Sequence, residues 1–376
     1  MAKKKNDNKN TITYVLELLK PTKKKQRLFF RNIDEVVKSR RAIAKELNND
    51  NKKLSTADFS YINLPSAVKN QDIREVKALH KRFKKSNSKK ETLEFKANQP
   101  ICYNNQNYKV HGHIVSIPLF SNKTSRYAFP VKQNERFVAL QRHIEKGAKL
   151  GKASLFYKGN KWFFAVTVSF EIKKVNSKNT MGIDIGLRQL AVASIKTSEG
   201  KEISRRFHSG NHAGFIRKKY NALRRKVGQV KKPKAIEKIC NKEQRWMTDL
   251  NHKISRQLID LAVHEKVSTI VMEDLKNIRQ TAKSHKRPDR NLNRWTFYQL
   301  QQFIEYKAKL SGINVIYVKA KYTSQRCSKC GAILKKNRKK NLYTCQCGNH
   351  MHSDLNAARN IADQHLKGWQ VRQQPA

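Results

Sequence analysis

The sequence predicts an α/β domain around a mixed sheet, carrying an inserted zinc ribbon and preceded by a β-barrel-like unit with a helical insertion. Three observations predict it. Strand and helix patterns alternate over the last 200 or so residues, as in a sheet covered by helices. The earlier part is instead a run of strand-like segments interrupted by a basic helical stretch. Two paired cysteine clusters lie close to the C-terminal end. The polar stretch EIKKVNSKNT marks the boundary near 173–180.

In chain order, residues 11–20 alternate like a strand. Residues 30–95 read as helical and basic. Ile73, Val76, Leu79 and Phe83 recur every three or four positions, and Lys69, Arg74, Lys77, Lys81 and Arg82 fill much of the rest. From 101 to 172 the text is strand-like, and Lys158-Gly159-Asn160-Lys161 reads as a hairpin turn. The second half begins with NTMGIDIGLRQLAVASIK, two strands turning near Gly186. KEISRRFH is a third strand. Residues 212–230 form a strongly basic helix, on which Arg217, Lys218, Arg224 and Arg225 are candidate nucleic-acid contacts. Residues 243–266 form another helix, with Trp246, Leu250, Ile254, Leu258 and Leu261 on one stripe. STIVMEDL is the nearly continuous apolar strand of a buried sheet. The polar stretch at 279–294 is either a lid or a solvated loop. A helix at 295–310, the strand INVIYVKA, the cysteine-rich insert at 322–350 and a helix at 354–366 complete the pattern.

The charge is as informative as the pattern. In 376 residues there are 81 Lys and Arg against 28 Asp and Glu, a net +53. Self-repulsion of that size works against compaction unless a polyanion neutralises it, and nucleic acid is the natural candidate. A membrane is not, because no apolar run approaches the roughly 18 residues of a spanning helix. The basic start MAKKKNDNKN leads into no signal-type apolar stretch. The expectation is a cytoplasmic, nucleoid-associated protein, in which six cysteines serve something other than disulfides.

Cys327-x-x-Cys330 and Cys345-x-Cys347 fit one tetrahedral Zn²⁺ at ~2.3 Å. Gly331 and Gly348 follow the pairs, where tight knuckles need positive φ. The second pair is tighter than the usual C-x-x-C, so His350 and His352 remain alternative ligands. Cys102 and Cys240 are isolated and read as packing residues. Lys335, Lys336, Arg338, Lys339 and Lys340 read as a solvated loop tip suited to a phosphate backbone.

Acidic residues are scarce, so those in apolar surroundings stand out. Asp184 lies between Ile183 and Ile185 on a buried-type strand, and burying a lone carboxylate costs several kcal/mol unless a cation compensates. Glu273 and Asp274 end STIVMEDL, and Asp354 begins the last helix. Asp184, Glu273 and Asp354 converging at one sheet edge would hold two Mg²⁺ ions ~3.5–4 Å apart, as in two-metal nucleases. The alternatives are that Asp354 or Ser353 caps its helix, and that Asp274 caps or pairs with Lys276.

At these residues the sequence resembles the TnpB proteins of insertion sequences and the related compact type V CRISPR effectors. GIDIGLRQLAVAS, IVMEDLKNI and TSQRCSKCG…YTCQCG…HSDLNAARNIA occur in that family's order. Trp295, Phe297, Leu300, Tyr306-Lys307-Ala308 and Gly312-Ile313-Asn314-Val315 supply matching text between them. The likeness is specific over about 180–365 and architectural before that. HSD at 352–354 departs from the DRD of many TnpB proteins.

The resemblance implies an RNase H-like RuvC nuclease domain at 179–321, a zinc ribbon at 322–350 and a RuvC C-terminal helix and tail at 351–376. Before these it implies a wedge-like β-barrel at 1–29 and 96–178 and a helical recognition insertion at 30–95. Asp184, Glu273 and Asp354 become the catalytic, Mg²⁺-binding carboxylates, Asp274 matches a non-catalytic position, and the four paired cysteines become the zinc ligands. The implied activity is RNA-guided cleavage of DNA, with guide RNA and target double-stranded DNA as partners and no membrane. Lys69 and Gln71 are candidates to face the flanking duplex. Rival readings are a catalytically silent RNA-guided repressor, a guide-independent RNase H-like nuclease, and a zinc-ribbon RNA-binding protein without catalysis.

Overall fold

A computed structural model describes residues 9–49, 54–86, 92–230, 232–275 and 289–366, with side chains from 10 to 48 and from 297 within the first and last of these. It divides into two compact units, Met1–Glu171 and Ile172–Ala376.

In the first unit, β1 (Lys9–Glu17) pairs along its length with β7 (Lys161–Glu171), and β7 pairs with β6 (Lys149–Lys158). The short β2 (Ile101–Tyr103) completes this antiparallel sheet, in the order β1-β7-β6-β2. A second antiparallel sheet holds β3 (Lys109–His111), β4 (Ile114–Phe120) and β5 (Thr124–Pro130). A single bridge between Leu18 and Val131 links the ends of β1 and β5. The hairpin turn falls where its sequence puts it. Gly159 and Asn160 both have positive φ (55° and 59°), as a two-residue turn matching the twist of its strands requires.

Helix α1 (Lys23–Asn49) and helix α2 (Ser66–Lys85) are inserted between β1 and β2. The stripe on α2 is the buried one: Ile73 and Val76 lie in the core with Leu79 packed against it. The helical stretch begins seven residues earlier than the pattern suggested, and residues 92–95 lie outside it. Helix α3 (Glu135–Glu145) was not anticipated. Its signals are local: Asn134 caps it by accepting from the N–H groups of Arg136 and Phe137, and Phe137 and Leu140 give it a buried face.

The second unit is built on the five-stranded order β10-β9-β8-β11-β12. Strands β8 (Asn179–Asp184), β9 (Gln189–Lys196) and β10 (Glu202–Ser209) run antiparallel in sequence. β11 (Val267–Glu273) then joins β8 in parallel, and β12 (Asn314–Val318) joins β11 in parallel. Helix α4 (Asn211–Gln229) and helix α5 (Pro233–His264) connect β10 to β11. α5 starts ten residues before the expected start at 243, because Pro233 opens it. Ile254 and Leu258 of that stripe are buried, with Trp246, Leu250 and Leu261 packed against the same core. Helix α6 (Asp289–Leu310) starts before residue 295, so residues 289–294 of the expected polar lid or loop are helical. Residues 279–288 of that stretch, and Lys276, lie outside the described residues.

The ribbon strands β13 (Arg338–Lys339), β14 (Leu342–Thr344) and β15 (His350–His352) lead into helix α7 (Ser353–Leu366). α7 lies on β8 by near contact of main chains. A Cβ on Gly182 would stand 2.2 Å from the Ala358 carbonyl oxygen and 2.5 Å from the Ala362 nitrogen. Only glycine permits that approach. Lys196 on β9 pairs with Asp363 at 2.8 Å, and Arg359 donates to Glu202 of β10, so polar contacts tie the same helix to two further strands. Among the described residues no helix is long and apolar enough to cross a membrane.

Candidate functional site

Two of the three expected carboxylates arrive by strand register. Ile183 sits opposite Met272 on the parallel pair β8 and β11, so the next residues, Asp184 and Glu273, leave the sheet side by side. Asp354 comes from the first turn of α7, which the Gly182 contact presses onto β8. All three line one cleft of about 490 Å³, together with Thr323, Arg338 and Lys340.

The electrostatics follow from that crowding. Burial, then the nearby Glu273 and Asp354 carboxylates, push the Asp184 carboxyl up to about 8. Burial also raises Glu273, against a hydrogen bond from Thr323 and the charge of Arg338. Thr323 Oγ1 donates to Glu273 Oε1 at 2.5 Å. Arg338 Nη2 donates to Asp354 Oδ1 at 3.1 Å. The Asp354 N–H is bonded to His352 Nδ1 at 3.2 Å, and Ser353 Oγ donates to Asp354 Oδ1 at 3.3 Å. Clustered carboxylates are hard oxygen donors that repel one another, and this donor set suits Mg²⁺ or Mn²⁺. Asp274, at the end of the same strand, is not part of the cleft lining; its N–H bonds to the Val318 carbonyl.

The four paired cysteines form the second constellation. Among the described residues, only their ligand atoms gather within 4.8 Å of one another as a candidate metal set. Gly331 (φ 83°) and Gly348 (φ 79°) turn the two knuckles, with their N–H groups on the Cys327 and Cys345 carbonyls. Burial opposes ionisation of Cys327, but the N–H groups of Cys330 and Lys329 and the Asn349 amide outweigh it and lower its thiol. This set can bind a metal such as zinc. The short C-x-C pair is thus accommodated. Neither alternative ligand, His350 or His352, belongs to the set that gathers around this point. Cys102 is buried as expected, whereas Cys240 is exposed on α5 and packs no core.

Side-chain amides of α7 tie the ribbon to the cleft. Asn356 accepts from the Ser328 N–H and donates to the Arg326 carbonyl, and Asn360 donates to the carbonyls of Thr323 and Arg326.

The candidate nucleic-acid residues fare unevenly. Lys69, expected to face a flanking duplex, is 8% exposed, and its ammonium donates to the Phe59 carbonyl at 2.8 Å. Helical packing turned it inward. Gln71 is half-buried and donates to Glu75. On α4, Lys218 and Arg225 are exposed, Arg217 is half-buried, and Arg224 is paired with Glu243. Sequence reasoning missed Thr323 and placed Arg338 on a solvated tip; in the fold Arg338 and Lys340 reach the carboxylate cleft.

The carboxylate cleft at the edge of a mixed sheet and the four-cysteine insert before the last carboxylate are the two features on which the resemblance rested. Comparison with known proteins bears the resemblance out. The family model described as a probable transposase (OrfB, IS605) matches residues 163–279, and the Cas12f1-like TNB domain matches 297–361. The CRISPR-associated endodeoxyribonuclease Cas12f1 of Sulfoacidibacillus thermotolerans is 37% identical over 217 residues, 54% of this chain and 50% of that protein. That of Syntrophomonas palmitatica is 27% identical over 76% of this chain and 64% of its own length. A TnpB-like protein of Methanocaldococcus jannaschii is 39% identical over 40% of this chain and 54% of its own. The matched stretches thus span between half and two thirds of these relatives. In fold, the chain is similar to Cas12f1 from a complex with single guide RNA and target DNA, with TM-score 0.68, 16% identity, 94% of this chain and 99% of that one.

Proposed function

We propose that the chain is an RNA-guided DNA endonuclease of RuvC type, cutting target DNA at the Asp184–Glu273–Asp354 cleft. The observation that carries the reading is that two strand ends in register and one helix start bring three carboxylates to a single cleft. In support, relatives carry the names Cas12f1 endodeoxyribonuclease and TnpB-like protein.

In this reading Asp184, Glu273 and Asp354 hold the divalent ions. Those ions, when bound, supply charge against the scissile phosphate and lower the pKa of the attacking water. The rest is done by this chain's own groups. Thr323 holds one Glu273 oxygen, Arg338 steadies Asp354 from the ribbon side, and Lys340 adds positive charge along the lining. Hydrolysis is in-line and leaves a 5′-phosphate. Residues 1–29 and 96–178 act as the wedge, 30–95 as the recognition insertion, and 322–350 as a zinc ribbon. The net +53 serves guide RNA and heteroduplex through phosphates. Base pairing selects the target, and the protein reads a short flanking motif. Lys218 and Arg225 are the exposed phosphate contacts on α4.

The test is cleavage of duplex DNA by purified protein with its co-purified RNA, in Mg²⁺ and in Ca²⁺, before and after RNase treatment. Guided cutting in Mg²⁺ that vanishes without RNA is the expected result. Full cutting by RNase-treated protein favours the guide-independent enzyme. Guided binding without cutting favours the silent repressor.

A further inference from the structure

Thr323 lies at the entry to the ribbon, outside both the carboxylate trio and the thiolate set. It is 2% exposed, and its hydroxyl approaches Glu273 Oε1 to 2.5 Å, the range of a charge-assisted O–H···O⁻ bond. Among the described residues, the other acceptor within reach of that hydroxyl is the Ala320 carbonyl, at 3.1 Å. With one proton to give, the hydroxyl gives it to the carboxylate.

The backbone around it is arranged to the same end. Tyr322, the preceding residue, has φ 66°, a left-handed conformation that a bulky side chain adopts only under strain. The Tyr322 carbonyl accepts from the N–H groups of Gln325 and Arg326, and the Thr323 carbonyl accepts from Asn360 of α7. Glu273 is fixed at its other end too, since Gln301 donates to its main-chain carbonyl at 2.7 Å.

We propose that Thr323 is a positioning residue for the metal-binding carboxylate of Glu273: it occupies Oε1 and leaves Oε2 to face a divalent cation. This rests on the nuclease reading above. Partners of this kind, which hold a ligand without touching the metal, are typically worth 10- to 100-fold in metal affinity. The strained turn at Tyr322 and the Asn360 clamp make the aim of Glu273 depend on how the ribbon is seated on α7.

The test uses the full chain with its zinc, titrated with Mn²⁺ and followed by electron paramagnetic resonance, alongside guided DNA cleavage. Thr323→Val keeps the shape and removes the hydroxyl, so Mn²⁺ binding should weaken about 10-fold, with zinc content and melting temperature unchanged. Thr323→Ser should bind Mn²⁺ and cut like the parent. Mn²⁺ binding by Thr323→Val at parental affinity overturns the inference. If the valine variant loses zinc or unfolds, Thr323→Ala and Thr323→Ser decide: weak binding by alanine and parental binding by serine support it, and equal binding by the two overturns it. Asp184→Ala separates the two levels. If Asp184→Ala abolishes Mn²⁺ binding while Thr323→Val does not alter it, Thr323 alone is misassigned. If Asp184→Ala leaves Mn²⁺ binding intact, the carboxylate cleft is not the metal site and both readings fall.

Discussion

Asp184 is the residue on which most depends. Asp184→Ala is expected to lose nearly all cleavage while guided DNA binding persists, because binding draws on phosphate contacts and base pairing. Glu273→Ala and Asp354→Ala should behave alike and Asp274→Ala should stay active; gel-shift and cleavage assays on the four variants check this. A second expectation concerns stability. The folded Asp184 carboxyl titrates near 8, above its ordinary value of 3.8. The folded protein therefore binds the proton more tightly, and metal-free stability falls as pH rises between those values. Asp184→Asn escapes that loss. Its melting temperature in EDTA should exceed the parent's by a margin that grows from about pH 4 to about pH 8 and then levels off. Asp184 and Glu273 were legible in the sequence because carboxylates are rare and these interrupt apolar strands. Thr323 and Arg338 were not, since nothing local tells which distant carboxylate a hydroxyl or a guanidinium will meet. Lys69 misled for the opposite reason: a lysine among lysines reads as surface, yet two carbonyls within reach let its ammonium be buried.

At the scale of elements, periodicity located most strands and the two long helices of the second unit, but not their starts. α5 begins at a proline well ahead of its stripe, and α3 went unread between two strand-like segments despite its cap. Asn134→Ala should cost about 1 kcal/mol in urea unfolding, the usual worth of an N-cap. Gly182 was visible only as a residue in a motif; its reason, the main chain of α7 within van der Waals reach, needed the tertiary structure. Gly182→Ala should force α7 away from β8, since the atoms its methyl would strike are backbone. Loss of cleavage together with a lowered melting temperature is expected, and an active, equally stable variant would contradict the packing. In the first unit, Asp72 is fully buried against Arg40, with burial raising its carboxyl to about 6 and Arg40 opposing. Asp72→Ala strands that guanidinium and should destabilise the fold by about 3–5 kcal/mol, measured by denaturant unfolding.

For the whole molecule, the charge excess sets the salt response. A protein that neutralises 6–10 phosphates loses about 10³ to 10⁵ in affinity between 50 and 200 mM salt, and guide-RNA binding here should fall at least that steeply. A flat response in filter binding would mean the charge is not spent on phosphates. The composition points to this proposed partner class, whereas the placement of cations did not follow from it, because which lysines face outward is decided by packing. The two constellations of the second unit also differ in kind. The thiolates are soft donors and the carboxylates hard ones, so each would favour a different metal from a common pool. The ions proposed for the cleft would exchange readily, while a metal held by four cysteines, two of them buried, would leave slowly. A chelator would therefore act as a clock on this protein. Seconds of exposure would remove an activity that fresh Mg²⁺ returns, and hours would remove one that it does not.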